Sequence, residues 1–286
     1  MMTSLVHTIL RWPLSVSVII VVALSVVVPW LAVRLVRRLW PHPVFKENNE
    51  LVGFTYSVYG LIYGVLLAFT IVVAWQRFEE TERLVLKETT LLSDLWRDSL
   101  VFRPWVRDYI QKDLVAYAQS VVDDEWPEMA ARGKAHPKTE KIYEDLWAIT
   151  YVFVAKTQIR EHYMAHYLGV MNDLGATRQL RLLHSRMEVH SILWLVLLIG
   201  AVPTIVYPLL FSSRHAWVQV AIMGCIMMIV MMGLLVTLSL QHPFSGEVSS
   251  IQPDAFRDLL DSFHKRLHEP RSISVPLEGA AAPPVR

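Results

Sequence analysis

Residues 51–75 read LVGFTYSVYGLIYGVLLAFTIVVAW, twenty-five residues with no Asp, Glu, Lys or Arg. A helix rises ~1.5 Å per residue, so this run reaches ~37 Å, enough to cross a bilayer core of ~30 Å. Three other runs have the same character: Leu14–Val33, Val189–Phe211, in which His190 is the one titratable side chain apart from tyrosine, and Ala216–Leu240. They stand in two pairs, with more than a hundred mostly polar residues between the pairs. The layout divides the chain into a first span pair (1–75), a central helical region (76–188), a second span pair (189–240) and a tail (241–286). The expected fold is an all-α membrane protein with four transmembrane helices.

Composition agrees. The chain is 53% hydrophobic and 19% charged, against ~25% charged in ordinary soluble domains, and its mean hydropathy is +0.36. A formal net charge of +1 gives no basic field for nucleic acid. The single cysteine, Cys225, excludes an internal disulfide and a thiolate zinc cluster, and reads as a small apolar packing residue. Arg11 followed by Leu14–Val28 looks like a secretory signal, but Pro29, Trp30, Arg34, Arg37 and Arg38 follow in place of a small-residue cleavage site. A retained span is expected.

Four spans place both ends and the central region on one side. Arg77, Arg83, Lys87, Arg178, Arg181 and Arg186 flank that region, while the last loop offers only Arg214. Positive charge favours the cytoplasmic side of an inner membrane. Arg34, Arg37, Arg38 and Lys46 of the first loop pull the other way.

No Gly or Pro interrupts Trp75–Phe102, so the second span should leave the membrane as one continuous helix. Pro104 suits the first turn of the next helix. Val106, Ile110, Leu114, Tyr117 and Val121 form its apolar stripe, and Asp123–Pro127 should end it. Ile142, Leu146, Ile149 and Phe153 mark another helix. Ile159, Tyr163, Tyr167, Val170 and Leu174 mark one from about Lys156 to Met187, continuous with the third span. A short amphipathic stretch near Asp254–His264 precedes a Pro- and Ala-rich end, Glu269–Arg286, expected to be disordered.

The second span is unlike the others. Gly53, Gly60 and Gly64 recur along it, and Tyr56, Tyr59, Tyr63 and Leu67 share a face. Small residues let helix backbones approach in lipid, and a deep tyrosine needs a hydrogen-bond partner. Two readings follow: helix contact with tyrosines bonded across it, or a pore-lining face of Tyr56, Tyr59, Gly60, Tyr63, Gly64 and Leu67. The spans hold no Asp, Glu, Lys or Arg in their apolar runs, which argues against a proton-coupled pump and for passive conduction.

Several stretches together resemble a bacterial bestrophin-like family, and more distantly the bestrophin anion channels. They are Asn49–Glu50 followed by Gly53, Tyr63–Gly64–Val65–Leu66–Leu67–Ala68–Phe69, Glu125–Trp126–Pro127, Asn172–Asp173–Leu174 with Arg178 and Arg181, and His242–Pro243–Phe244–Ser245–Gly246 after the fourth span. The resemblance covers residues 5–256. It implies a homo-oligomeric, pentameric channel for small inorganic ions, anions foremost, with the second span around a central pore. Bestrophins follow their Pro-Phe-Gly with an acidic run that binds calcium. Here Glu247–Val248–Ser249–Ser250–Ile251 offers one carboxylate, so calcium activation does not carry over.

Other polar features read as follows. Asn49 and Glu50 either line a pore entrance or cap the second span, where negative charge meets the positive helix end. Arg178, Arg181 and Arg186 form a basic face that meets lipid headgroups, pairs with carboxylates such as Glu79 and Glu80, or lines an ion vestibule. Asp123–Asp124–Glu125 reads as a solvated turn, because a calcium site needs six to eight oxygens. His162 and His166 lack a third ligand and read as a polar helix face. No metal, cofactor or enzymatic motif is expected. The competing reading is a membrane-anchored scaffold or sensor whose helical region binds a protein partner. A transporter would need internal repeats, and the two span pairs show none.

Overall fold

The computed structural model describes residues 14–39, 49–152, 158–186, 191–211, 215–245 and 250–268. The described residues contain helices and no strand. In chain order they are α1 (Leu14–Leu39), α2 (Asn49–Asp98), α3 (Pro104–Ser120), α4 (Trp126–Arg132), α5 (Pro137–Val152), α6 (Gln158–His184), α7 (Ser191–Val206), α8 (Ala216–Gln241) and α9 (Asp254–His268). Four stretches are long and apolar enough to span a membrane: Ser15–Leu39, Asn49–Val101, Ile192–Leu210 and Ala216–Gln241.

α2 organises the molecule. Its 50 residues extend ~75 Å, about two and a half times the thickness of a bilayer core, so the helix leaves the membrane without a break. One stripe is buried along its length: Tyr63, Leu67, Thr70 and Ala74 in the apolar half, then Thr81, Val85, Glu88, Leu92 and Leu95 in the charged half. The spacing of three and four holds one face inward throughout. The upper part packs on α7 and α8, and the lower part on α6. α1 lies against α8, outside this arrangement.

The helical block surrounds the lower half of α2. Val106, Ile110, Leu114, Tyr117 and Val121 are all buried, as their spacing predicts, and so are Leu146 and Ile149 of α5. α9 covers the block with Phe256, Leu259, Leu260 and Phe263, and Phe263 stacks on Trp96 with ring centroids 4.3 Å apart.

Five expectations change. Asp123–Pro127 does not end a helix: Val121–Glu125 forms a π-helical turn that carries α3 into α4. The extra residue of that wider turn rotates Glu125 inward, where it is buried, so the acidic cluster is not wholly solvated. α6 does not run into the third span, because Ser185–Arg186 form a turn. Tyr163, assigned to the buried stripe of α6, is exposed, while Tyr167, Val170 and Leu174 are buried. Cys225, expected as a packing residue, lies exposed on α8. Phe153, Lys156, Met187, the first loop up to Asn48 and the tail from Glu269 lie outside the described residues.

Candidate functional site

The tyrosine face of α2 is occupied within its own chain. Tyr63 and Leu67 are buried in a cluster with Leu197, Ala201 and Val230. Gly200 of α7 makes this approach possible, since a Cβ there would lie 2.6 Å from the Tyr63 ring. The Tyr59 hydroxyl donates to the Gly200 carbonyl at 3.2 Å, and the Tyr56 hydroxyl to the Thr204 carbonyl at 3.3 Å. Thr204 is four residues before Pro208, which has no N–H to complete an α-helical bond, so Tyr56 serves a carbonyl the helix end leaves available. Tyr56 also stacks on Tyr207, with centroids 5.8 Å apart.

The expected lining face therefore divides. Tyr56, Tyr59, Tyr63 and Leu67 hold α2 against α7 and α8. Gly60 and Gly64 face open space, with nothing within 4 Å of a Cβ built on either. Beside them Ser57, Leu61, Val65 and Phe69 are exposed, Leu61 at 69%. At the start of α2, Asn49 and Glu50 lie in the first turn, where the exposed Glu50 carboxylate complements the positive helix end.

In the basic face before the third span, Arg178 and Arg181 pair with carboxylates, as one of the expectations had it, but with partners other than Glu79 and Glu80. Arg181 is fully buried. Its Nε donates to Glu88 Oε2 at 2.6 Å, its Nη2 to Glu88 Oε1 at 3.1 Å and to Glu125 Oε1 at 2.7 Å, and its Nη1 to Met129 Sδ at 3.0 Å. Arg178 donates to Glu125 Oε2 at 2.8 Å and to Glu140 Oε2 at 2.6 Å. The Tyr117 hydroxyl donates to Glu88 Oε1 at 2.6 Å. Two arginines of α6 thus join α2, α3, the π turn and α5. Neither faces lipid or a vestibule, and neither pairs with Glu79 or Glu80; Glu79 pairs with Arg83 at 2.7 Å. The physical reason is the inward stripe of α2, which places Glu88 rather than Glu79 opposite α6.

Burial lowers the proton affinity of Arg181, but Glu88 and Glu125 more than reverse it, and the guanidinium stays charged. Burial and the Glu88 carboxylate raise the Tyr117 hydroxyl well above its ordinary range, keeping it a donor. Arg186 behaves differently: its Nε donates to the Gly133 carbonyl at 2.6 Å. Gly133 has φ +62°, and a Cβ there would sit 2.9 Å from the Ser185 carbonyl oxygen, so the turn after α6 closes over a glycine.

Two motifs distant in sequence meet here. Phe244 packs edge-on against Trp126 with centroids 5.2 Å apart, Trp126 Nε1 donates to the Ile251 carbonyl at 3.2 Å, and Ser245 Oγ to the Ala130 carbonyl at 2.7 Å. The segment after the fourth span is thereby fastened to α4, beside the arginine network. Gly246 and Glu247 lie outside the described residues.

His162 and His166 are exposed, and His166 Nε2 lies 3.6 Å from Asp98 Oδ2. Among the described residues no three His, Cys, Asp or Glu side chains converge as a metal site would require. The sequence reading missed Glu88 and Glu140. Glu88 was visible as a carboxylate inside an otherwise uncharged stripe, Thr81–Val85–Glu88–Leu92–Leu95, facing a helix with arginines three residues apart.

The fold matches known structures. A bacterial bestrophin homologue from Klebsiella pneumoniae, in a variant form, aligns with TM-score 0.69 at 12% identity, covering 87% of this chain and 99% of the other. The same homologue phased with zinc gives 0.63 at 14% identity, covering 85% and 98%. A further membrane protein gives 0.65 at 14% identity, covering 88% and 99%. At these identities the likeness is one of fold. No curated protein matches the chain. A family model for the bestrophin-like domain, however, matches residues 19–256, which is most of the sequence, and the chain belongs to the bestrophin-like family.

Proposed function

We propose that this protein is a passive ion channel assembled from several copies, with α2 around a central pore and anions as the favoured cargo. Family membership supports the channel reading. The observation that carries the pore assignment is the two-sided character of α2: one face is held by its own chain, while the face bearing Ser57, Gly60, Leu61, Gly64 and Val65 is left open. On this reading the tyrosines brace the pore helix from behind. Leu61 and Val65 supply an apolar constriction of the kind that gates by dewetting. Asn49 and Glu50 stand at one mouth. The helical block lies in the cytoplasm of an inner-membrane protein, where it forms the vestibule and much of the contact between copies, with five copies as the expected number.

Purified protein in planar bilayers tests this. Unitary currents are expected, with a reversal potential that follows the anion gradient, and Leu61→Ala is expected to raise conductance. Silence across pH and salt conditions would remove the channel reading and favour the membrane-anchored scaffold. A reversal potential that follows the cation gradient would remove only the anion preference.

A further inference from the structure

A cavity of about 250 Å³ opens where α2, α6 and α8 meet. Its depth in the membrane follows from the sequence: the apolar run of α2 ends at Trp75, just before Arg77, and α8 ends at Gln241. Both helices therefore pass from apolar to polar character beside the cavity, at the expected water–lipid boundary. Phe78 and Leu240 supply apolar wall, and Arg77, Glu80, His184 and Gln241 supply polar groups.

The hydrogen bonds show which polar groups are spent. The Thr81 hydroxyl donates to the Arg77 carbonyl at 2.8 Å, so its oxygen accepts from His184 Nδ1 at 3.0 Å. That puts a proton on Nδ1. Gln241 is 8% exposed, its Oε1 accepts from the Trp194 indole at 2.9 Å, and its Nε2 is buried with no partner. A buried amide donor without an acceptor is costly unless something occupies it. At the rim, Arg77 and Glu80 are both exposed, and neither forms an ion pair among the described residues. The cavity thus offers one cation, one anion and one unused amide donor beside an apolar wall.

We infer that this cavity binds the headgroup of a phospholipid carrying both a phosphate and a primary ammonium. Arg77 takes the phosphate, Glu80 takes the ammonium, and Gln241 offers its amide to a headgroup oxygen. An anionic headgroup without an ammonium would meet Glu80 as a like charge. A choline headgroup has no N–H to donate to it. The acyl chains would leave along the apolar surfaces of α2 and α8. Such a lipid would tie the spans to the helical block at the point where α2 crosses between them. The inference does not depend on conduction.

The test uses the full chain, purified and stripped of lipid, with thermal unfolding followed as lipid is added back. Phosphatidylethanolamine should raise the midpoint at roughly tenfold lower concentration than phosphatidylcholine or phosphatidylglycerol with the same chains. Arg77→Gln and Glu80→Gln should each remove that preference while eluting like the parent protein, since both side chains are exposed. The exchanged pair Arg77→Glu with Glu80→Arg should restore it. Equal response to all three lipids, or a preference that survives both single variants, would overturn the proposal. An equal shift from soluble glycerophosphoethanolamine at the same concentration would overturn the lipid as the source of the headgroup.

Discussion

Replacing Arg181 with Met removes the centre of the buried charge network while keeping much of the side-chain volume. Arg181, Glu88 and Glu125 all have fully buried side chains. The two carboxylates do not suffer equally. Glu125 keeps Arg178 at 2.8 Å and the His136 backbone N–H at 3.3 Å. Among the described residues Glu88 keeps the Tyr117 hydroxyl alone, at 2.6 Å. Breaking a buried pair from one side costs ~3–5 kcal/mol, because the remaining charge stays out of water. Glu88→Met alone should cost less, ~1–3 kcal/mol, since Arg181 retains Glu125. Removing both residues together takes away the charge and its partner, and apolar replacements of buried pairs are often near neutral. The double variant should therefore be more stable than Arg181→Met, and its cost should fall short of the sum of the single costs, ~4–8 kcal/mol, by at least ~2 kcal/mol. Equilibrium unfolding of the four proteins in mixed micelles measures this cycle. The pair is buried, so the coupling should persist in 1 M salt, where the Debye length is ~3 Å. Additivity within ~0.5 kcal/mol would refute the reasoning.

Phe244→Ala should cost ~3–5 kcal/mol and loosen the segment after the fourth span, which limited proteolysis between residues 241 and 254 would detect. Gly200→Val should lower the midpoint of thermal unfolding, by the ~1–3 kcal/mol of overpacking, because its Cβ meets the Tyr63 ring at 2.6 Å. Asp113 has its affinity for a proton raised by burial and then by Asp145. A carboxyl whose folded value lies above the unfolded one reduces stability once it ionises. Asp113→Asn should therefore stabilise the protein at neutral pH, and the gain should vanish as the pH falls below the ordinary carboxyl range; unfolding measured across pH checks the sign.

Four runs of sufficient length and the inward stripes of α3 and α5 were legible because burial repeats with the period of a helix. The long α2 was legible from the absence of Gly and Pro after Gly64. The π turn was not, since Val121–Glu125 contains no residue that distinguishes a wider turn from an ordinary one. That single turn decides whether Glu125 meets solvent or Arg181. The arginines before the third span were noticed, but their partners depend on how α6 rotates against α2, which local spacing does not specify. The tyrosines were noticed as well. Which of their two readings holds depends on α7 and the turn after it, where Gly200 and Pro208 provide the close approach and the available carbonyl, and neither residue is near the tyrosines in sequence.

The account rests on the open face of α2 being completed by other copies of the chain. The mass of the intact particle in lipid nanodiscs, measured by native mass spectrometry, tests this most directly. The account predicts a single species at a multiple of the 32.9 kDa chain, with five copies expected. A particle carrying one 32.9 kDa chain would contradict it, since one copy cannot close a pore around α2.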